Sequence, residues 1–522
     1  MSRLRIGIDV GGTNTDAVLV DDHDTVLAAE KTPTTSEPLD GIRAVLTAIL
    51  DGVDRAKVDQ VMLGTTHPAN AVIQRRGLSE VGVLRLAAPT SFAVRPGAAW
   101  PADLRAQVLG PVAIVGGGFE YDGREIAPLD EGAIREFAAR CARGGVRAVA
   151  VSGVFAPAST EHEERAADIL AAELGATARI SLSHEVGSLG LLERENATIL
   201  NAALQEVAHR VVDGFRAALN HHDLDVDAFL TQNDGTLMAA DQAARLPVLT
   251  LGSGPTNSMR GACALAGLSE AVVIDVGGTS ADAGVLVDGF PRESTAAVEV
   301  GGVRTNFRMP DLISIGLGGG SVVRPGEGDV TVGPDSVGYR VAEAALTRGG
   351  DTLTLSDISA VAGRLTGFGR QEPAGGIDPR IVKLALDWVD AEIDRMTTRM
   401  KSSRHALPLI AVGGGSHLVA DAVRGASRVV RPEHHAVANA YGAAIAEASG
   451  AVDRVIRFAG DDRQSSLDEA RRAAADAAVA AGADPHAVRV TSLTEIPLTY
   501  VPGKASRVLV KAAGPLRTRR SR

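Results

Sequence analysis

Two short stretches of the chain place an aspartate, a glycine pair and hydroxyl side chains in the same order. The first reads IDVGGTNTDA at residues 8–17, and the second reads IDVGGTSADA at residues 274–283. A glycine pair lets backbone N–H groups approach a ligand, because no Cβ stands in the way. The repeat therefore indicates two related phosphate-binding turns.

Each residue type in the repeat suits one part of phosphate binding. Asp9 and Asp275 end their apolar runs, where a carboxylate can hold hydrated Mg²⁺ or orient an attacking group. The candidates for phosphate contact are Gly11, Gly12, Thr13, Asn14, Gly277, Gly278, Thr279 and Ser280. One copy alone is more typical of an ordinary hairpin turn, whereas two copies favour a clamp that grips a triphosphate from both sides. After Ala17 the apolar runs match only with a one-residue shift, so the two copies need not be equivalent.

The elements that must position these turns alternate between strands and helices. The sequence predicts a hairpin over 4–20, strands over 60–63, 146–155, 228–231 and 407–412, and helices over 40–50, 193–219, 380–400 and 436–449. Because the first glycine pair leads into a strand, a Rossmann or Walker loop is excluded there. We expect three units, a first lobe over 1–180, a second lobe over 181–450 and a small C-terminal subdomain over 451–522.

Composition limits the class of protein. With 58 glycines and 3% aromatic residues, the core must consist mainly of Ala, Val, Leu and Ile, as in an α/β protein. A net charge of -11 argues against nucleic acid as a partner. Two cysteines and no apolar run of about 18 residues predict a cytoplasmic protein without a membrane segment.

A third glycine loop, IAVGGGSHLVAD at residues 410–421, follows a short apolar strand. A bare Gly-Gly-Gly can also mark close packing alone. In its order behind the two DVGGT copies, however, it resembles the adenosine loop of the clan of actin, the sugar kinases and the Hsp70 ATPase. That resemblance implies an α/β, two-domain actin-like ATPase fold of duplicated ribonuclease H-like domains, with a small C-terminal α+β appendage. It also implies ATP as ligand, with Gly413, Gly414, Gly415 and Ser416 at the adenosine.

Within that clan the chain resembles the hydantoinase/oxoprolinase family, specifically its ATP-using A-type subunit. Four motifs between residues 4 and 450 carry the resemblance: RIGIDVGGTNTDAVLVD, GTTHPANAVIQRRG, SGPTNSMRGACALAGLSEAVVIDVGGTSADAG and MPDLISIGLGGGSVV. It implies ATP-dependent opening of a cyclic amide of the hydantoin, 5-oxoproline or lactam type, or activation of a ketone in the carboxylase branch. It also implies that Asp9 and Asp275 bind Mg²⁺ and orient the attacking group. A companion hydrolase subunit and an oligomer are implied as well.

Three further residues, Thr65, Thr66 and Asn70, are candidates for the substrate side of the cleft, although a helix cap explains them equally well. The chain departs from the family where typical members read DIHTIGAGGGS, because Ser314 replaces the histidine, and it lacks the cysteine-containing segment that follows. Two alternatives stay open: a small-molecule kinase of the same clan and an interaction protein switched by a nucleotide.

Overall fold

The structure, a computed structural model, describes residues 3–33, 38–294, 297–369, 376–401, 405–458, 463–499 and 504–517. In chain order its strands are β1 (Leu4–Val10), β2 (Asn14–Val20), β3 (Val26–Pro33), β4 (Val58–Thr65), β5 (Val81–Ala88), β6 (Leu109–Gly116), β7 (Ala148–Gly153), β8 (Arg179–Leu182), β9 (Asp227–Thr231), β10 (Leu237–Ala239), β11 (Ala271–Val276), β12 (Ala281–Val287), β13 (Phe290–Pro291), β14 (Val298–Val300), β15 (Val303–Thr305), β16 (Leu312–Ile315), β17 (Ser321–Pro325), β18 (Val330–Ser336), β19 (Leu407–Val412), β20 (Ala426–Val430), β21 (Ala448–Phe458), β22 (Arg489–Pro497) and β23 (Lys504–Gly514). Its α-helices are α1 (Pro38–Ile49), α2 (His67–Gln74), α3 (Ala102–Val108), α4 (Glu131–Arg143), α5 (Glu161–Leu174), α6 (Ser183–Val186), α7 (Leu191–His221), α8 (Ala240–Arg245), α9 (Ser253–Ala266), α10 (Val341–Ala344), α11 (Leu355–Val361), α12 (Pro379–Met400), α13 (Ala438–Ala444) and α14 (Arg463–Ala480). Over the ranges described, no helix combines the length and the apolar character needed to cross a membrane.

The first sheet runs β22-β23-β21-β10-β9-β4-β1-β2-β3. β1 and β2 form the expected antiparallel hairpin, and β1 pairs in parallel with β4. The turn closes because Gly11 N donates to Asn14 O at 3.0 Å. Asp9 ends up near the carboxyl end of β1, opposite Asp16 on β2.

The second sheet repeats this arrangement in the order β13-β12-β11-β19-β20, with β16 added beside β12. β11 and β12 form an antiparallel hairpin that pairs Asp275 with Asp282, and β11 is parallel to β19. Gly277 N donates to Ser280 O at 2.9 Å, as its counterpart does in the first hairpin. The one-residue shift seen in the sequence after Ala17 therefore leaves the two turns equivalent in backbone register.

The chain segment between β4 and β9 forms a third sheet, which is parallel and has the order β6-β5-β7-β8. Apolar residues of α4 and α5, such as Phe137 and Leu170, pack against Leu84 and Val149 of its strands. Continuous burial along β5 and β7 explains why these strands read as apolar runs rather than as alternating patterns.

Strand pairing does not follow the predicted division at residues 180 and 450. β9 and β10 lie beyond residue 180 but pair with β4 and with β21, so they belong to the first sheet. The predicted C-terminal α+β appendage is present as α14, β22 and β23, and its strands extend the first sheet. The helix predicted over 436–449 ends at Ala444, because the chain from Ala448 onward pairs with β10 and β23. These long-range pairings leave no local pattern in the sequence.

Helices α9 and α13 cross at a contact made by glycines. A Cβ at Gly442 would lie 1.9 Å from the carbonyl oxygen of Asn257, and one at Gly261 would lie 1.8 Å from that of Ala438. On its other side α13 meets β1, where a Cβ at Gly7 would lie 2.1 Å from the carbonyl oxygen of Ala440. The backbones touch at these points, so the start of α9 is fixed relative to β1.

We expect Gly442→Ala to lower the free energy of unfolding by about 3 kcal/mol, because the added methyl group meets backbone atoms that cannot rotate away. Gly132→Ala is the matched control, since its Cβ would meet no atom closer than 3.5 Å within helix α4. Urea unfolding followed by circular dichroism measures both variants. Equal midpoints for the two variants would contradict the account of the helix contact.

Candidate nucleotide-binding cleft

The two hairpins face each other across one cleft. Its wall consists of Asp9, Gly11, Gly12, Thr13, Asn14, Asp16, Lys31, Thr66, Gly254, Pro255, Ser258, Asp275, Gly277, Gly278, Thr279, Ser280, Asp282, Gly413, Gly414, Ala436, Ala438 and Asn439. The hairpin tips lie close together, because a Cβ at Gly278 would lie 3.1 Å from Thr13 Oγ1. All ten residues predicted in the two DVGGT copies therefore lie together around one space.

The third glycine loop packs against the second hairpin. Gly413 has a φ of +84°, and a Cβ there would lie 2.2 Å from Asp275 Oδ1. Gly415 N donates to Val276 O at 2.7 Å, which ties the two loops together. Gly413 and Gly414 line the cleft, whereas Gly415 and Ser416 lie behind it, with Ser416 buried. The structure thus brings half of the predicted adenosine loop to the cleft surface.

The GLGGGS segment at residues 316–321 supports the second hairpin from behind. Gly319 N donates to Gly277 O at 3.0 Å, and Gly320 N donates to Gly278 O at 2.8 Å. A Cβ at Gly318 would lie 2.5 Å from Thr279 N. These glycines have a structural function that the sequence motif alone did not reveal: they hold the second turn in shape.

Of the three substrate-side candidates, only Thr66 lines the cleft. Thr65 Oγ1 accepts a hydrogen bond from His67 N at 3.2 Å, and Asn70 Nδ2 donates to Thr66 Oγ1 at 3.3 Å. Thr65 and Asn70 therefore make local hydrogen bonds at the start of α2, where the N-cap residue Thr66 makes no side-chain cap bond of its own. The structure does not bring these two side chains to the cleft surface.

Four carboxylates line the cleft, and only Asp9 and Asp275 were predicted there. Asp16 and Asp282 face them across the hairpin pairings, and the repeated final Asp of the motif could have indicated both. Lys31 Nζ lies 2.8 Å from Asp16 Oδ1, so this lysine partly balances the negative charge of the four carboxylates. At position 314, Ser314 Oγ donates to Asp282, which gives the serine a role in holding a cleft carboxylate.

Two asparagines that the sequence reasoning missed hold Asp9 in place. Asn257 of α9 donates to Asp9 Oδ1 at 3.3 Å, and Asn439 of α13 donates to Asp9 Oδ2 at 3.0 Å. Asn439 Nδ2 also lies 3.0 Å from Asp16 Oδ2 and so bridges the two carboxylates. Asn257 belongs to the quoted motif that begins SGPTNS, and Asn439 belongs to the helix predicted over 436–449, but neither pattern indicates the long-range contact.

Burial perturbs the carboxylates of the cleft. Burial raises the pKa of Asp9 to about 6, the charge of Asp16 adds to the rise, and hydrogen bonds from Asn257 and Asn439 offset only part of it. Burial likewise raises the pKa of Asp282 to about 6 against the hydrogen bond from Ser314. The pKa of Asp275 is raised by burial too, although Ser258 opposes the shift. A bound cation would relieve this desolvated negative charge.

The donor set suits Mg²⁺. In the chain segments that the structure describes, no three His, Cys, Asp or Glu side chains come together as a metal-binding group. Mg²⁺ usually keeps several waters and takes one or two carboxylates plus substrate phosphates. Asp9 and Asp275 therefore fit a hydrated ion that arrives with a nucleotide better than an ion enclosed by protein ligands.

Paired hairpins, parallel strands behind them and a glycine loop beside the second hairpin define a two-lobed, actin-like fold. The fold is shared with the ATP-dependent caprolactamase from Pseudomonas jessenii, at a TM-score of 0.75 and 21% identity over 98% of this chain and 88% of that one. It is also shared with nucleotide-free acetone carboxylase, at a TM-score of 0.69 and 18% identity over 99% and 88% of the two chains. These likenesses confirm the predicted α/β, two-domain actin-like ATPase fold.

The chain belongs to the hydantoinase/oxoprolinase family. The model of the hydantoinase/oxoprolinase N-terminal region matches residues 5–174, and the hydantoinase/oxoprolinase model matches residues 194–368. The α subunit of caprolactamase from Pseudomonas jessenii is 29% identical over 70% of this chain and 55% of its own length. The γ subunit of acetophenone carboxylase from Aromatoleum aromaticum is 28% identical over 69% and 53%. The chain thus spans about half the length of these relatives.

We expect Asp282→Asn to stabilise the metal-free protein at alkaline pH. The folded-state pKa of Asp282, about 6, lies above its ordinary value of 3.8. Its contribution to stability is therefore complete below pH 4 and is lost as the pH rises through 6. Asparagine removes the charge. The free energy of unfolding of the variant, relative to wild type, should therefore be up to about 3 kcal/mol higher at pH 8 than at pH 4.

Unfolding midpoints at pH 5, 6.5 and 8 measure this difference, with the exposed Asp213→Asn in α7 as control. A variant whose advantage over wild type does not grow between pH 5 and pH 8 would show that Asp282 ionises normally in the folded protein.

Proposed function

We propose that the protein is the ATP-using part of a hydrolase that phosphorylates and opens a cyclic amide of the hydantoin, 5-oxoproline or lactam type. The observation that carries this proposal is the pair of DVGGT hairpins whose tips meet across one carboxylate-lined cleft. Membership of the hydantoinase/oxoprolinase family supports the choice of reaction, because its relatives include a caprolactamase subunit and a 5-oxoprolinase from Saccharomyces cerevisiae.

We assign the phosphates to the two turns and the adenosine to the third loop. Gly12, Thr13, Gly278 and Thr279 line the shared space, and we assign their backbone N–H groups and threonine hydroxyls as donors to phosphate oxygens. Gly413 and Gly414 leave room for the adenosine because no Cβ projects from either. Mg²⁺, when bound with the nucleotide, neutralises phosphate charge, and Asp9 and Asp275 are the residues that would hold it.

An amide resists attack by water because its carbonyl is a poor electrophile. Transfer of the γ-phosphoryl group to the amide oxygen breaks the bond between the γ-phosphorus and the bridging oxygen and releases ADP. With loss of the amide N–H proton to solvent, it gives an imidate that carries phosphate as a good leaving group. The task of the protein is then alignment and charge neutralisation, which together can remove much of the barrier. Lys31, which pairs with Asp16 at the cleft wall, is the cation positioned to counter charge that develops there.

We assign the hydrolytic step to a companion subunit. Relatives are named as α, β or γ subunits, and this chain spans about half of their length. An oligomer that includes the companion, located in the cytoplasm where ATP is available, completes the proposal.

A ketone is the second candidate substrate, because the γ subunit of acetophenone carboxylase is 28% identical to this chain. Phosphorylation of an enol oxygen uses the same cleft and the same phosphate contacts. The two candidates differ only in the group that accepts the phosphoryl, so one assay with both substrate panels separates them.

We expect Asp9→Asn and Asp275→Asn each to reduce ATP turnover at least a hundredfold, because each removes a carboxylate from the site of phosphoryl transfer. Turnover is measured as ADP release, with hydantoin, 5-oxoproline, lactam and ketone panels, in the presence and absence of the candidate companion. Mass spectrometry distinguishes a ring-opened amino acid from a stable phosphorylated product, which would identify a kinase instead.

Asp213→Asn is the control, since its side chain lies on the exposed face of α7 and away from the cleft. Wild-type turnover in a folded Asp9→Asn or Asp275→Asn protein would refute the site assignment. ATP turnover that no amide increases, with or without the companion, would refute the proposed reaction.

A further inference from the structure

A second cavity lies beside the first turn of α9, apart from the nucleotide cleft. Its wall includes residues of four segments: 184–188, 232–234, 306–310 and 449–453. Gly252, the N-cap of α9, packs against this wall, because a Cβ there would lie 3.1 Å from Met309 Cε. Gly254, two residues later, lines the nucleotide cleft. The start of α9 thus borders both spaces.

Several charged side chains in the wall of the second cavity are already neutralised. The ion pairs are Asp234 with Lys511 at 2.5 Å, Asp453 with Arg507 at 2.7 Å and Glu185 with Arg245 at 2.7 Å. Because these opposite charges cancel in pairs, the cavity offers little net attraction to a highly charged ligand. A small neutral molecule with polar groups suits it better.

Four buried polar atoms of the wall have no hydrogen-bond partner within the described residues: Arg308 Nη2, Asn306 Oδ1, Gln242 Oε1 and Ser188 Oγ. The orientation of Asn306 is fixed, because its Nδ2 donates to the carbonyl oxygens of Ser188 at 3.1 Å and Leu189 at 2.9 Å. Its free oxygen is therefore an acceptor. Buried polar atoms of proteins almost always have partners, so one donor, two acceptors and a hydroxyl that can serve as either indicate a polar ligand here.

His184 adds an oriented ring to the same wall. Its Nδ1 lies 2.7 Å from Oε2 of Glu163, a carboxylate that also accepts from Gly153 N at 2.6 Å. This contact leaves Nε2 for a ligand. Burial lowers the pKa of His184, but the hydrogen bond and charge of Glu163 outweigh burial and hold the pKa above its ordinary value. In its protonated form, which is more populated than in an ordinary histidine at the same pH, the ring can donate from Nε2.

We propose that the second cavity binds a cyclic amide, with Arg308 and His184 donating to the amide oxygen and Asn306 accepting from the amide N–H. A small ring holds the amide in the cis form, so its C=O and N–H lie along one edge. Arg308 and Asn306, two residues apart in one segment, supply a matching donor and acceptor. The choice of an amide rests on the proposed function, and the site is additional to the nucleotide cleft: an amide held here is not the one that receives the phosphoryl group but a second, non-reacting molecule whose binding is coupled to the cleft.

The link between the two spaces is Asn233. Its Nδ2 donates to Arg308 O at 3.0 Å, and its Oδ1 accepts from Gly252 N at 2.7 Å. The segment that carries Arg308 is therefore hydrogen-bonded through one side chain to the start of α9. A ligand on Arg308 lies next to the helix whose first turn lines the nucleotide cleft.

The test is a ligand-observed NMR titration of the full chain with 2-piperidone. Cyclohexanone is the matched probe, since it has the same ring size and a carbonyl but no N–H. We expect Arg308→Met to weaken 2-piperidone binding at least tenfold, since a charge-assisted hydrogen bond is lost. Arg304→Met is the control variant, because Arg304 is on the same segment with 71% of its side chain exposed. A saturating non-hydrolysable ATP analogue should not displace 2-piperidone, and cyclohexanone should bind at least fivefold more weakly.

Equal affinity of wild type and Arg308→Met for 2-piperidone, displacement by the ATP analogue, or no binding to a wild-type protein that binds the analogue would each overturn the site. Analogue binding by Arg308→Met confirms that the variant is folded. Amide-stimulated ATP turnover that persists unchanged in Arg308→Met overturns the second cavity and leaves the proposed function standing. Wild-type turnover that no amide increases overturns the proposed function, whatever the binding result.

Discussion

Backbone contacts that only glycine permits hold the nucleotide cleft together. The second DVGGT turn meets the loop of Gly413 on one side and the loop of Gly318 on another, and at both places a Cβ would overlap existing atoms. The same constraint joins α9 to α13 through Gly442 and α13 to β1 through Gly7. Positions of both hairpins therefore depend on a chain of close contacts rather than on side-chain packing alone.

Those contacts bring carboxylates together, which lowers the stability of the folded protein. Asp9 is buried and Asp282 half-buried, and each has a pKa raised to about 6, so their ionised forms destabilise the folded protein at neutral pH. Asparagine amides and a serine hydroxyl offset part of that cost. A site with this much negative charge is suited to a divalent cation that arrives with a polyphosphate, because the cation would neutralise both the carboxylates and the phosphates. Stability and ligand binding are in this way linked through the same side chains.

Sequence reasoning predicted the parts of the fold that leave local patterns. The hairpins at Asp9 and Asp275, the strand before Gly413 and the long helix α7 are evident from apolar runs, glycine turns and periodicity. Pairings between distant segments are not evident from such patterns. β9 pairs with β4, and β21, β22 and β23 complete the first sheet, but no local pattern in the chain indicates these pairings. Asn257 and Asn439 were missed for the same reason, because their contacts with Asp9 form only after α9 and α13 pack.

The central claim is that both DVGGT turns bind one nucleotide. Amide hydrogen exchange measures this directly, with peptides that cover residues 11–14 and 277–280 followed before and after a non-hydrolysable ATP analogue and Mg²⁺ are added. The exposed turn at residues 21–25 is the internal control. The account predicts that exchange slows in both DVGGT turns at the same analogue concentration while the control turn is unchanged. Slower exchange in only one of the turns, or in neither, would contradict it.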